Sequence, residues 1–305
     1  MGKLFVAILT VLFFICNICS AYAPDGQLYI TTLDVGQGDA TLIETAEQNI
    51  LIDTGDVDNR DNLIQQLNEA GITRLEKIIL SHPHADHIGG VQAVLENFPV
   101  DLIIDNGIVS ASPLYIDYRQ APTKFSGVVS GNVIDFGGGV KFKVFAPSKS
   151  MVADVNSDSV RSYPNNESII GKLTFGDFSM LFTGDAEKKL EESLFDTFGF
   201  QLKSTVLKAP HHGSKTSSTS DFVAVVNPTY VIISAGKANK HGHPHKQPLA
   251  TYRENFVLPE NIFCTRFNGV IRIETDGKNH VVTVERNNDW VVDYTKEKIT
   301  VQIIG

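Results

Sequence analysis

Beyond its first twenty residues the sequence has one cysteine, Cys264; Cys16 and Cys19 sit in the apolar N-terminal stretch. A mature chain with one thiol cannot close an internal disulfide, so its stability has to be found elsewhere, first of all in the size of its core. After residue 23 no run is long and apolar enough to cross a bilayer, which excludes an integral span in the mature protein. Positive charge is also short. The net charge of −9 argues against a protein that coats nucleic acid by diffuse attraction. Internal repeats, low-complexity tracts and linkers are absent. The 305 residues suffice for a large core, and we expect one domain over 24–305, with 275–305 as a C-terminal β extension.

What is present begins with an export signal. Lys3 precedes the apolar run from Leu4 to Cys16, and Cys19-Ser20-Ala21-Tyr22-Ala23 ends it in small residues. Residues 1–23 therefore read as a signal peptide, cut after Ala23 or, because Pro24 is a poor partner for cleavage, after Ala21. The expected location is secreted or periplasmic. Charge is uneven: from Lys203 to Lys246 there are six lysines and one acid, Asp221, together with five of the nine histidines. One basic window in an acidic chain points to a local anionic ligand. Its only aromatics besides histidine are Phe222 and Tyr230, so stacking aromatics for single-stranded nucleic acid are not evident there.

Patterning predicts two rounds of strands and helices. Strands are expected at 27–33, 41–44, 49–52, 77–80 and 100–104, with helices at 61–70 and 90–98. Residues 106–132 read as an irregular insertion or lid over a site, 132–145 as a hairpin around Gly137-Gly138-Gly139, and 147–164 as polar loop. The second round predicts strands at 168–175, 178–182, 204–207 and 230–234, with helices at 186–198, 221–226 and 247–256. The tail, 271–304, is strand-like, with turns at Asp276-Gly277 and Asn287-Asn288. In both rounds the unusual polar residues follow a strand, where α/β proteins place their chemistry.

The densest of these stretches is Ser81-His82-Pro83-His84-Ala85-Asp86-His87-Ile88-Gly89-Gly90. Three imidazoles and a carboxylate in six residues have little use in a core or on a surface turn, but they suit a metal. Eight of the nine histidines cluster, at 82/84/87, 211/212 and 241/243/245; His280 stands apart as a surface strand residue. Clusters after separate strands are what two divalent ions need, with a carboxylate to bridge them. Asp185, in its Gly184-Asp185 turn, is the candidate bridge; its position would equally suit a helix N-cap.

The set His82-x-His84-x-Asp86-His87, with Asp53-Thr54-Gly55 before it and Gly184-Asp185 after it, resembles the metallo-β-lactamase fold family over most of the mature chain. Asp34-Val35-Gly36-Gln37-Gly38-Asp39-Ala40, Asn165-Asn166-Glu167-Ser168, Lys208-Ala209-Pro210-His211-His212-Gly213-Ser214 and Asn239…His243-Pro244 resemble the hydrolase domain of ComEC-type competence proteins, and also exported phosphorylcholine esterases. The resemblance implies an α/β fold, a four-layer αββα sandwich, holding two divalent ions, zinc or manganese. His82, His84 and Asp185 would hold the first; Asp86, His87, Asp185 and one of His211 and His212, with His212 favoured, the second. The family's third-motif histidine is missing, since none occurs from 88 to 210, so the first ion is expected to be held more weakly. The same gap counts against a true β-lactamase. Asp53 would orient a ligand imidazole. Asp86 stands in the catalytic set as a metal ligand, and Lys208, Lys215 or His243 would contact the phosphate or protonate the leaving group. Gln37 and Asp39 are either site-wall or simple turn residues, and with Asn166, Ser168 and Lys215 they would support the ligands from behind or contact substrate.

The implied chemistry is metal-assisted hydrolysis, in which a hydroxide held between the ions attacks phosphorus in line. The leading expectation is an exported phosphodiesterase or nuclease whose partner is an anionic phosphodiester, DNA included. The alternatives are hydrolysis of small or envelope phosphodiesters such as phosphorylcholine, with Tyr115, Tyr118 and Phe125 as the supply for an aromatic cage, and a non-catalytic metal-binding protein. Oligomeric state is open.

Overall fold

The computed structural model describes residues 22–286 and 290–291. The expected signal peptide, except its last two residues, and the expected Asn287-Asn288 turn lie outside the described residues. So does the tail beyond 291.

Strands appear where apolar residues alternate or run together between Gly- and Asp-rich turns. They are β1 (Leu28–Thr32), β2 (Thr41–Glu44), β3 (Asn49–Ile52), β4 (Lys77–Ile79), β5 (Leu102–Asp105) and β6 (Lys124–Gly127), then β7 (Val133–Asp135), β8 (Lys141–Ala146), β9 (Ile170–Phe175), β10 (Phe178–Phe182), β11 (Val206–Lys208), β12 (Tyr230–Ile233) and β13 (Ile262–Cys264), and last β14 (Ile271–Thr275) and β15 (His280–Val284). They form two mixed sheets, in the orders β15-β14-β1-β2-β3-β4-β5-β6 and β13-β12-β11-β10-β9-β8-β7. From β3 to β6 and from β10 to β13 neighbouring strands are parallel.

The parallel strands show why the molecule has four layers. Side chains on a strand point alternately to its two faces. Ile50, Ile52, Ile79 and Ile104 of the first sheet meet Val206 and Ile232 of the second in the central core. Their neighbours Leu51, Ile78 and Ile103 face the other way, into a core shared with α1 (Arg60–Glu69), α3 (Val91–Asn97) and α4 (Pro113–Tyr118). Leu207, Val231 and Ile233 likewise face α6 (Lys188–Phe198), α7 (Ser220–Val226) and α8 (Lys246–Glu254). With both faces covered, these strands are apolar on both faces except at their ends. Each fully buried aliphatic side chain contributes about 1.5–3 kcal/mol, which is how the described residues, whose one cysteine Cys264 is free, hold together without a disulfide.

The expected sandwich is present, and most predicted elements lie within two residues of their observed limits. Two expectations need correcting. Residues 106–132 are not an irregular lid. Pro113 opens α4, and Lys124–Gly127 pairs in parallel with β5 as the edge of the first sheet. Tyr118 is buried there, packed on Tyr115 and Phe125, and Arg119 lies over the Phe125 ring at 4.4 Å. The three aromatics therefore serve the helix–sheet core. Residues 147–164 hold a helix, α5 (Lys149–Asn156), because Ser148 accepts a hydrogen bond from the Met151 N–H and caps it. No helix among the described residues is long and apolar enough to cross a membrane.

Candidate metal centre

The strand ends deliver the site. Asp53 follows β3, Ser81 and His82 follow β4, Asp185 follows β10, and Lys208, His211 and His212 end or follow β11. The short helix α2 (Ala85–Ile88) carries Asp86 and His87. Several of these residues have backbone conformations that L-residues seldom adopt: Asp53, His211 and His212 have φ of 58°, 51° and 55°. Such positions concentrate at functional sites, where the surrounding structure enforces them. Gly184 is required for space as well as conformation. Its φ is 45°, and a Cβ there would meet the Ser168 side chain at 2.8 Å.

Two ligand groups share Asp185. His82, His84 and Asp185 form one; Asp86, His87, Asp185 and His212 form the other. In the second, His87 Nε2 and His212 Nε2 lie 3.1 and 3.5 Å from Asp185 Oδ1, and His212 Nε2 lies 3.2 Å from Asp86 Oδ2. His87 Nε2, His212 Nε2 and Asp185 Oδ1 are all buried without a hydrogen-bond partner. Buried polar atoms are normally satisfied. Three orphans facing one another mark a place for a cation, and the imidazole and carboxylate donors suit a divalent one. In the first group His82 Nε2 is 3.7 Å from Asp185 Oδ2 and 3.0 Å from His84 Nδ1.

The supporting bonds fix which ring nitrogen faces inward. Asp53 accepts from His87 Nδ1 at 2.8 Å and from the Ser81 hydroxyl and N–H, both at 2.7 Å. Ser81 Oγ also lies 3.1 Å from His82 Nδ1. His212 Nδ1 donates to the Ser234 carbonyl at 3.1 Å. Both ring Nε2 atoms of the second group are thus left for a ligand. Electrostatics divide the histidines, with His82 lowered but His87 and His212 raised by the carboxylates beside them. Burial alone would raise the Asp185 pKa, but His87, His212 and His82 hold the carboxyl well below the usual range. Asp86 is lowered against its burial by His212 and His87. Burial pushes His82 well down, toward the neutral imidazole a metal needs. His87 moves up against its burial, because Asp185 and Asp53 flank it.

His212 is buried in the second group. His211 also reaches the centre: its Nε2 is 3.7 Å from Asp185 Oδ2, the separation that His82 shows. The first group therefore has an imidazole beside it where the chain lacks a third-motif histidine.

The outer positions divide differently from expectation. The open cleft over the two groups is lined by Gln37, Asp56, Asp58 and Asn165 and by Lys240, His241 and His243. His243 is buried but for one edge, stacked 6.0 Å from His212, with its pKa pushed down to about 3 by burial and neighbouring imidazoles. Asn239 holds its backbone, accepting from His243 N–H at 2.8 Å and donating to its carbonyl at 2.9 Å. Gln37 accepts from the Gly236 N–H.

Lys208 does not face the cleft. It is buried in an ion pair with Asp39, so neither contributes to the wall. Asn166 and Ser168 stand behind the centre, one of the two placements expected for them, accepting from the N–H groups of Glu187 and Asp185. It is Asn165 whose Oδ1 is buried and unpartnered beside the cleft. Lys215 is exposed and its backbone N–H donates to His245 Nδ1. Asn165, Lys240 and Ser81 are the residues that sequence reading passed over. The only available signal was their place within motifs already singled out.

Comparison with known proteins gives a consistent picture. The family described as Metallo-beta-lactamase superfamily matches residues 33–237. Competence protein ComA of Neisseria gonorrhoeae is 34% identical over 222 residues, 72% of this chain and 29% of that protein. ComE operon protein 3 of Bacillus subtilis is 29% identical over 292 residues, 88% of this chain and 35% of that protein. The chain thus spans about a third of the length of these curated relatives. Among solved structures, the metallo-beta-lactamase fold protein YhfI from Bacillus subtilis superposes with a TM-score of 0.52 at 12% identity, covering 81% of this chain and 99% of that one.

Proposed function

We infer the function from one premise: the chain belongs to the metallo-beta-lactamase superfamily. From it we propose an exported, metal-dependent phosphodiesterase that acts on nucleic acid. The observation that carries this reading is the pairing of two ligand groups on Asp185 with a wall of Lys240, His241 and His243 above them. That wall suits the oxygens of an anionic diester. The names of the competence relatives add support for DNA as the substrate.

His82, His84, Asp185 and His211 would hold one divalent ion, zinc or manganese; Asp86, His87, Asp185 and His212 would hold the other. When bound, such ions neutralise developing charge on phosphoryl oxygens and make water nucleophilic near neutral pH. The chain's own residues do the rest. Asp53 and Ser81 keep His87 and His82 turned inward. His243, neutral at pH 7, offers a hydrogen bond to a phosphoryl oxygen, with its backbone held by Asn239. Lys240 draws the diester in, and Asn165 lines the side next to Asp185 and His211. The phosphate contact expected of Lys208 passes to Lys240 and His243.

A second reading, hydrolysis of a small phosphodiester with a cationic headgroup, is favoured by Asp56 and Asp58, which line the same cleft. One experiment separates the two. The manganese- or zinc-loaded protein is offered bis-p-nitrophenyl phosphate, linear DNA and p-nitrophenylphosphorylcholine. We expect cleavage of the first two, lost in Asp185→Asn and lowered about tenfold to a hundredfold in kcat/KM by His243→Ala. Cleavage of the choline ester without DNA cleavage moves the assignment to the second reading, and cleavage of none refutes both.

A further inference from the structure

Among the described residues Lys208 is the one lysine in the buried interior, only 2% exposed. A buried ammonium costs several kcal/mol unless a partner faces it. Its partner, Asp39, lies across the sandwich: Lys208 ends β11 of the second sheet, and Asp39 sits in the turn between β1 and β2 of the first.

Three ligand-bearing segments are tied to this pair. The Asp39 N–H donates to the Asp86 carbonyl at 3.0 Å. That approach needs Gly38, because a Cβ there would meet the same carbonyl oxygen at 2.7 Å. Asp39 Oδ1 accepts from Ser234 Oγ at 3.1 Å, and the Ser234 carbonyl accepts from His212 Nδ1. The Lys208 carbonyl accepts from Thr183 Oγ1 at 2.6 Å, two residues before Asp185. Asp86 belongs to the first sheet's side of the centre and His212 to the second's, yet their ligand atoms must meet.

We propose that the Lys208–Asp39 ion pair is a positioning element for the second ligand group, locking the turn that bears Asp86 to the turn that bears His212 across the two sheets. The inference rests on the metal-binding part of the proposed function and not on its substrate. A pair that merely stabilised the fold would affect unfolding and leave ion affinity alone.

The test titrates manganese into chelator-stripped protein, with bound ion counted by equilibrium dialysis and the coupled manganese pair followed by electron paramagnetic resonance. The variants are Lys208→Met, Asp39→Asn and the two combined. We expect the unsubstituted protein to bind two ions. Each single variant should bind one ion normally and the other about 10–100-fold more weakly, with loss of the coupled signal. The double variant leaves no lone buried charge, so it should regain much of the unfolding midpoint without regaining the second ion. Two ions at unchanged affinity in the double variant, or in a folded single variant, would overturn the proposal. An unsubstituted protein that binds no divalent ion would refute the metal reading itself.

Discussion

Asp185 meets His82 and His211 through Oδ2 and His87 and His212 through Oδ1. It is the one residue that both ligand groups share. Its near neighbour Asp53 acts at one remove, through His87 Nδ1. Asp53→Asn keeps the size of the side chain and removes the charge that orients the ring. We expect it to weaken binding of one ion about 10–100-fold, measured by calorimetric titration of chelator-stripped protein, while secondary structure stays unchanged; unaltered affinity would show that Asp53 serves only the turn. Single residues were legible in the sequence where chemistry is local. His82, His84, Asp86 and His87 share one turn and announce themselves. Lys208 did not, because burial is set by strands distant in sequence, and a lysine reads alike whether it meets solvent or Asp39. Asn165 and Asn166 show the same limit: adjacent amides, one beside the cleft and one turned inward, separated only by the turn Pro164–Glu167.

The loop after His212 is held by another element. Glu191 of α6 is buried and accepts the N–H groups of Ser218 at 2.6 Å and Thr219 at 2.8 Å, just ahead of α7. Burial pushes its pKa up to about 6 from an ordinary 4.5, and the two backbone bonds only partly oppose that. A raised carboxyl pKa means that the native state holds the proton more tightly than the unfolded chain. Its contribution is full below about pH 4.5 and fades as pH rises through about 6. Urea unfolding of the parent and Glu191→Gln should therefore show a stability difference that moves against the parent by about 2 kcal/mol between pH 4.5 and pH 7. A difference that does not change with pH would show that the native carboxyl titrates as it does in the unfolded chain. Helices and strands with strong periodicity, such as α6 and β10 to β12, were legible from the spacing of their apolar residues. The helix α4 and edge strand β6 were not, since a six-residue helix and a four-residue edge strand carry too little pattern to outweigh the Ser, Gly and Pro around them.

Across the whole molecule the two sheets meet through one apolar core, and the ligands come from loops of both. An ion that binds them joins the halves and is lost on unfolding. Mass action then predicts that saturating manganese or zinc raises stability by about 2.7 kcal/mol at a hundredfold excess over Kd. This corresponds to about 5–10 °C in Tm, reversed by chelator and read by differential scanning calorimetry. A melting curve indifferent to chelator would argue that the ions are held too weakly to matter.

The sequence by itself determined the family, the layered alternation of strands and helices, and the clusters from which candidate ligands are drawn. These follow from side-chain chemistry and periodicity within short stretches. Only the tertiary structure decided that His211 stands beside the first group, that Lys208 is an interior partner of Asp39, and that Lys240 and Asn165 line the cleft. Each depends on which strand ends the two sheets bring together, and such long-range pairing leaves no local trace in the chain.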